Sequence, residues 1–259
     1  MLSISRRATT ADTDTTIKTT IIQSIINHTI ATMANTDIDF HSHILPCCDH
    51  GSDSVKTSVT QLRLASEANV GMVCATPHFY PDRDELDCFL QKRSRSYENL
   101  CAELKGDEPR ILLGAEVLFC EGMEDFENID LLCLQNSNLL LFEMPFYAWS
   151  SSLFKTVEDV CMKYCGKITP ILAHADRYSK SAVERLLGYG VLLQLNVQNY
   201  SKKIKYSYLK YWVNKGYVVA LGSDIHGTKD GYTYWNKAKR KSHDEWDKIM
   251  QKTANLISC

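Results

Sequence analysis

From Thr36 onward the chain alternates short apolar runs with longer segments whose apolar residues recur every three to four positions. That alternation predicts strands separated by amphipathic helices. Thr36 to Phe40 interleaves polar and apolar residues and runs into His41-Ser42-His43, which predicts a short strand delivering two imidazoles at its carboxyl end. Ser54 to Val70 opens on a capping serine, carries Val55, Val59, Leu62 and Ala65 on one face and stops at Gly71, so it predicts a helix. Met72 to Thr76 predicts the next strand, Glu85 to Leu104 a helix, and Arg110 to Val117 a strand after Pro109. Asn138 to Met144 is too short and too apolar for an exposed helix, hence a buried strand, with the helix Ser151 to Tyr164 behind it. Further strands are predicted at Thr169 to Ala173, Val191 to Val197 and Tyr217 to Gly222, and helices at Lys180 to Leu187, Ser207 to Lys215 and Ser242 to Ile257. With the opening strand this makes seven βα units. Strict alternation argues for a parallel sheet, and the economical α/β form is a closed seven-stranded TIM-like barrel.

Residues 1–35 read differently, being rich in threonine and isoleucine, with Ile17, Ile21, Ile22, Ile25, Ile26 and Ile30 at a spacing compatible with a short amphipathic helix. Thr, Lys, Gln and Asn interrupt every apolar group there, which argues against a signal peptide, and no segment supplies the roughly 20 apolar residues that span a bilayer. The expectation is a disordered extension over 1–35, with Met33 as a possible functional start, ahead of one domain over 36–259. A chain of 259 residues, 44% of them hydrophobic, can fill a core of that size. The formal net charge of -2, without a long basic run, lacks the electrostatic footprint of a nucleic-acid binder. The ten cysteines form no repeated Cys-x-x-Cys, and several, like Cys74, sit singly in apolar runs. They read as reduced thiols of a cytoplasmic protein. None precedes an arginine by six positions, so the Cys-x5-Arg loop of thiol phosphatases cannot form.

The remaining chemistry gathers on one side of the predicted sheet. His41, His43, His50, His78, Glu116, Glu143, His174, Asp224 and His226 all fall at or just beyond the carboxyl ends of predicted strands, where a barrel of this kind collects its active site. Taken one at a time, each has an ordinary explanation as a turn residue or a satisfied core polar group. Together they would be costly to desolvate without cations. Imidazole and carboxylate donors without thiolate suit Mn, Fe or Zn better than Cu(I). Neighbouring ions of that kind acidify water and clamp a phosphoryl group, which is the chemistry of phosphomonoester hydrolysis.

Six motifs in order carry a resemblance to a known family: Asp39-Phe40-His41-Ser42-His43-Ile44-Leu45-Pro46 with Asp49-His50-Gly51, then Ala75-Thr76-Pro77-His78, Gly114-Ala115-Glu116, Phe142-Glu143, Ala173-His174-Ala175-Asp176-Arg177-Tyr178 and Ser223-Asp224-Ile225-His226. From about Asp37 to the C-terminus the chain resembles the PHP (polymerase and histidinol phosphatase) superfamily, and more closely the bacterial manganese-dependent protein-tyrosine phosphatases of capsular and exopolysaccharide biosynthesis. The resemblance implies a distorted seven-stranded barrel holding up to three metal ions, Mn before Fe or Zn. The implied ligands are His41, His43, His50, His78, Glu116, Glu143, His174, Asp224 and His226, with Glu116 bridging. Arg177, three residues past His174, would bind phosphate oxygens at the rim, its ordinary alternative being an ion pair with Asp176 or Glu184. Asp49 or His226 could assist as an acid.

Two departures from that branch stand out. Asp49-His50-Gly51 replaces the branch's Asp-Asp-Gly, which leaves His50 or Asp49 as the ligand, and Lys229 stands near where the branch tends to carry an arginine. The loops Phe79 to Arg83 and Met144 to Trp149 would either stack on a phosphotyrosine ring or cap the core, and Lys202 to Tyr206 would either attract an acidic peptide or form a solvated face. The implied partner is a phosphotyrosine-bearing protein, a bacterial tyrosine kinase, with neither nucleic acid nor membrane insertion involved. The competing readings are a phosphatase or phosphodiesterase of small molecules such as histidinol phosphate, and a metal-stabilised binding protein without turnover.

Overall fold

The computed structural model describes residues 37–201, 207–227 and 232–258. The expected N-terminal extension, the Lys202 to Tyr206 segment and Lys229 lie outside the described residues. Strand β1 (Asp37–Ser42) is buried throughout. Helix α1 (Val55–Glu67) starts where the sequence expects, with the Ser54 hydroxyl accepting the Thr57 N–H. Its end differs from expectation: the turn is made at Asn69, in the left-handed region at φ 63°, so Gly71 already belongs to β2 (Val70–Ala75). Asparagine tolerates that conformation, which left the glycine free to enter the strand.

The strand expected over Arg110 to Val117 is broken. It forms as β4 (Arg110–Leu113) and resumes as β5 (Glu116–Leu118) beyond Gly114-Ala115. β2 breaks likewise at Thr76-Pro77, where proline has no N–H to give, and resumes as β3 (His78–Phe79). The breaks divide the strands into two parallel sheets, β1-β2-β4 and β3-β5-β6-β7-β8-β9, the latter completed by β6 (Leu139–Glu143), β7 (Thr169–Leu172), β8 (Leu192–Asn196) and β9 (Val218–Gly222). Bonds from Thr76 N–H to Ser42 O, Gly114 N–H to Ala75 O and Glu116 N–H to Pro77 O carry the backbone network across the breaks. At the other side β1 lies against β9. Asp224 N–H donates to His41 O (2.8 Å) and His43 N–H to Ile225 O (3.1 Å), yet no ladder runs between the two strands. The architecture is therefore an α/β fold of two parallel sheets rather than one continuous closed ladder.

The outer layer comprises α2 (Leu86–Cys101), α3 (Ser151–Lys163), α4 (Lys180–Leu187), α5 (Val197–Ser201), α6 (Ser207–Lys215), α7 (Thr233–Lys241) and α8 (His243–Ser258). α5 and α7 were not expected. α7 carries Lys237, Lys239, Arg240 and Lys241 and buries only Trp235 and Ala238, too little apolar periodicity to show in sequence. At the amino end of β1 the buried Asp37 carboxylate accepts the Trp235 and Trp246 indole N–H groups (3.0 Å each) and the Lys239 ammonium (2.9 Å). Among the described residues no helix is long and apolar enough to cross a membrane.

Candidate metal centre

At the carboxyl ends of the strands the expected imidazoles and acids meet. His41 and His43, fully buried at the end of β1, bring their Nε2 atoms to 3.1 Å of each other. Glu116 Oε2 stands 3.1 Å from His41 Nε2, 3.2 Å from His43 Nε2 and 3.2 Å from His78 Nδ1. Its Oε1 reaches His174 Nε2 at 2.9 Å. Glu143 lies 3.3 Å from His78 Nδ1 and 3.5 Å from His174 Nε2. Asp224 Oδ1 is 3.5 Å from both His43 Nε2 and His226 Nδ1. The exposed His50 joins through its ring, stacked on His78 at 4.7 Å between centroids and equally close to His226. Donor atoms of His43, His78 and His226, of His41, His43 and Glu116, and of His78, Glu116 and Glu143 form three overlapping groups, each within 4.8 Å.

Backbone and small residues make the convergence possible. His174 (φ 34°) and Asp224 (φ 53°) both occupy the left-handed region, a strained choice for side-chain-bearing residues that surrounding contacts must hold. A Cβ on Gly222 would stand 2.6 Å from His41 Cβ, and one on Gly51 would collide with His43. Only glycine lets those segments pass the two histidines.

A surrounding layer sets which nitrogen points inward, and sequence reading missed part of it. His174 N–H donates to Gln194 Oε1 (2.6 Å), which identifies that atom as the amide oxygen. His41 Nδ1, 3.2 Å from the same oxygen, must then be a donor, and its Nε2 faces the cluster. Gln194 Nε2 donates to Asn196 Oδ1 (3.1 Å), and Asn196 Nδ2 to Asp224 Oδ2 (2.9 Å), so one relay along β8 orients two members of the cluster. Asp49 does the same for His43: its Oδ2 lies 2.6 Å from His43 Nδ1 and accepts the His78 N–H, while Oδ1 accepts the Gly51 N–H. Thus Asp49 is engaged as an orienting group, and His50 is the member of the pair whose ring faces the other imidazoles.

The acids and imidazoles of the cluster shift one another's protonation. Burial opposes ionisation of Glu116, but His41, His174 and His43 outweigh it and hold the carboxyl well below its usual range. Burial likewise opposes charge on His174, yet Glu116 and Glu143 push it up to about 9. His226 moves the other way, down to about 4, through burial and the neighbouring His43. The decisive observation is geometric. Despite its near neighbours, buried Glu116 Oε2 has no hydrogen bond, and neither has His78 Nδ1. Buried polar atoms are seldom left so, and two such atoms 3.2 Å apart without a hydrogen bond between them fit a divalent ion.

Arg177 stands at the rim, about a third exposed, and pairs with Asp224. Its partner is neither Asp176 nor Glu184: Asp176 instead accepts the Asn196 N–H (3.0 Å) and an Asn199 amide hydrogen. The two loops divide residue by residue. Phe79 is fully buried against Phe89 and Phe126, whereas Tyr80 stacks on His78, and Phe146 and Tyr147 are exposed.

Imidazole and carboxylate donors gathered at the carboxyl ends of parallel strands define the class, an α/β protein with a site of metal-binding type. Residues 37–254 match the family Capsular polysaccharide synthesis, CpsB/CapC, and the chain belongs to that family. Among its relatives, the tyrosine-protein phosphatase CpsB of Streptococcus agalactiae is 23% identical over 203 residues, 73% of this chain and 82% of the relative. A CapC protein of Staphylococcus aureus is 28% identical over 153 residues, 58% of this chain and 57% of its own length. The fold is similar to that in the crystal structures of YwqE from Bacillus subtilis and CpsB from Streptococcus pneumoniae, metal-dependent tyrosine phosphatases. There the TM-score is 0.68 at 21% identity, covering 85% of this chain and 93% of the other.

Proposed function

We propose that this chain is a metal-dependent protein-tyrosine phosphatase acting in the regulation of capsule and exopolysaccharide synthesis, with a tyrosine kinase as its phosphorylated partner. Family membership supports the reading, and the observation that carries it is Glu116 Oε2, buried and without a hydrogen bond among three imidazole nitrogens. In this reading His41, His43, His50, His78, Glu116, Glu143, His174, Asp224 and His226 hold up to three divalent ions, Mn first. When bound, such ions make water nucleophilic near neutral pH and neutralise charge on the phosphoryl group. Asp49 and Gln194 keep His43 and His41 oriented. Arg177 swings between its Asp224 partner and the non-bridging phosphate oxygens, stabilising the charge they gain. Asp49, with three donors on its carboxylate, has little tendency to take up a proton and act as an acid. Phenolate, the conjugate base of a group with pKa about 10, leaves without strong acid help. We also read β2 with β3, and β4 with β5, as two interrupted strands of a distorted seven-stranded barrel whose last seam is β1 against β9.

The test is phosphate release from a phosphotyrosine peptide after chelation and return of Mn(II), with histidinol phosphate as the competing substrate. Release is expected to need the metal, to disappear in His41→Ala, and to fall about 10²- to 10³-fold in kcat in Arg177→Ala. Metal-independent release, or a marked preference for histidinol phosphate, would reject the assignment.

A further inference from the structure

Next to the centre, outside its imidazoles and carboxylates, lies a cleft of about 420 Å³ between the loop Pro145 to Trp149 and the segment Tyr178 to Ala182. The loop is braced at both ends. The Tyr178 hydroxyl accepts the Met144 N–H (3.0 Å) and donates to Met144 O (2.9 Å). Trp149 Nε1 donates to Pro145 O (2.9 Å), and its ring packs edge-on against Tyr178 and Phe154. Between these braces Phe146 and Tyr147 stand 80% and 71% exposed. Single exposed apolar residues are ordinary, but two adjacent aromatics held outward at the lip of a cleft mark a binding surface. Arg177 identifies the occupant: it lines this cleft and also pairs with Asp224 in the centre, so the cleft is cationic at its inner end and aromatic at its outer end. A ligand matching both ends carries an anion on an aromatic ring.

We propose that this cleft seats the aromatic ring of the phosphorylated side chain, and that Phe146 and Tyr147 are the residues that select aryl over alkyl phosphoesters. The proposal rests on the phosphatase reading above. A planar ring entering beside Arg177 would find the aromatic side chains of this lining to stack on, an interaction that an alkyl phosphoester cannot make.

The experiment compares the full-length, Mn(II)-loaded wild type with Phe146→Ser, Tyr147→Ser and the double variant. Turnover is measured on phosphotyrosine and phosphoserine peptides of the same flanking sequence, and binding by calorimetry with phenylphosphonate and methylphosphonate. The double variant is expected to lower the aryl-to-alkyl ratio of kcat/KM about tenfold, through KM, and to lose the preference for phenylphosphonate in parallel. The Mn(II)-induced rise in Tm reports that the variants fold and load. An unchanged ratio in both measurements, or an equal fall for both peptides, overturns the assignment of the cleft and leaves the phosphatase reading intact. If the wild type hydrolyses neither peptide, that reading fails by itself. Phosphonate binding then decides the cleft, upheld if the aryl preference disappears in the double variant and overturned if it persists.

Discussion

The two ends of β1 each bury a carboxylate, and they treat it in opposite ways. At the amino end both oxygens of Asp37 meet fixed donors, two indole N–H groups and the Lys239 ammonium, all at 2.9–3.0 Å. At the carboxyl end Glu116 is as deeply buried, but one oxygen faces three imidazole nitrogens and bonds to none. Burial of charge therefore does not distinguish a working site from a structural clamp. The distinction lies in whether the protein itself supplies every partner.

Four substitutions at three positions probe that contrast. Glu116→Gln keeps the shape and removes the charge, and it is expected to abolish both Mn(II)-dependent phosphate release and the Mn(II)-induced rise in Tm. Retention of both would make the two ends equivalent and break the comparison. Asp37→Asn acts on the satisfied end and is expected to lower stability by about 3 kcal/mol, read as a shift in the urea midpoint at constant slope. Calorimetric Mn(II) affinity should not move with it. Gln194→Leu leaves the His41 ring N–H and the His174 backbone N–H without their shared acceptor, so Mn(II) affinity should weaken about 10- to 100-fold. Gln194→Glu retains an acceptor and should recover part of that loss, an outcome a purely steric role would not give.

Much of this was legible in the chain because the signals were periodic or local. Lys180–Leu187 folds over the residues expected of it, with the Ser179 hydroxyl accepting the Ala182 N–H to start the helix. Most of the imidazoles and acids could be assigned to one mouth because they stand at or close behind the carboxyl end of an apolar strand. What stayed hidden depends on partners far away in sequence. Gln194 and Asn196 alternate with leucines on β8 as solvent-facing residues do, and their meaning comes from His41, His174 and Asp224. Between the adjacent Asp49 and His50, only the donors arriving from His43, Gly51 and His78 reveal which is already engaged. The break at Gly114-Ala115 was invisible for a related reason, since apolar content continues across it; at Thr76-Pro77 the strand stops about where the sequence expects, and what stayed hidden is its resumption at His78.

Those interruptions have a mechanical side. His41 hangs from the three-stranded sheet, whereas Glu116, Glu143 and His174 hang from the six-stranded one. A cation gripped by both sets would add a rivet between two plates that only a few backbone hydrogen bonds already join, so that loading the centre and tightening the frame would become the same act.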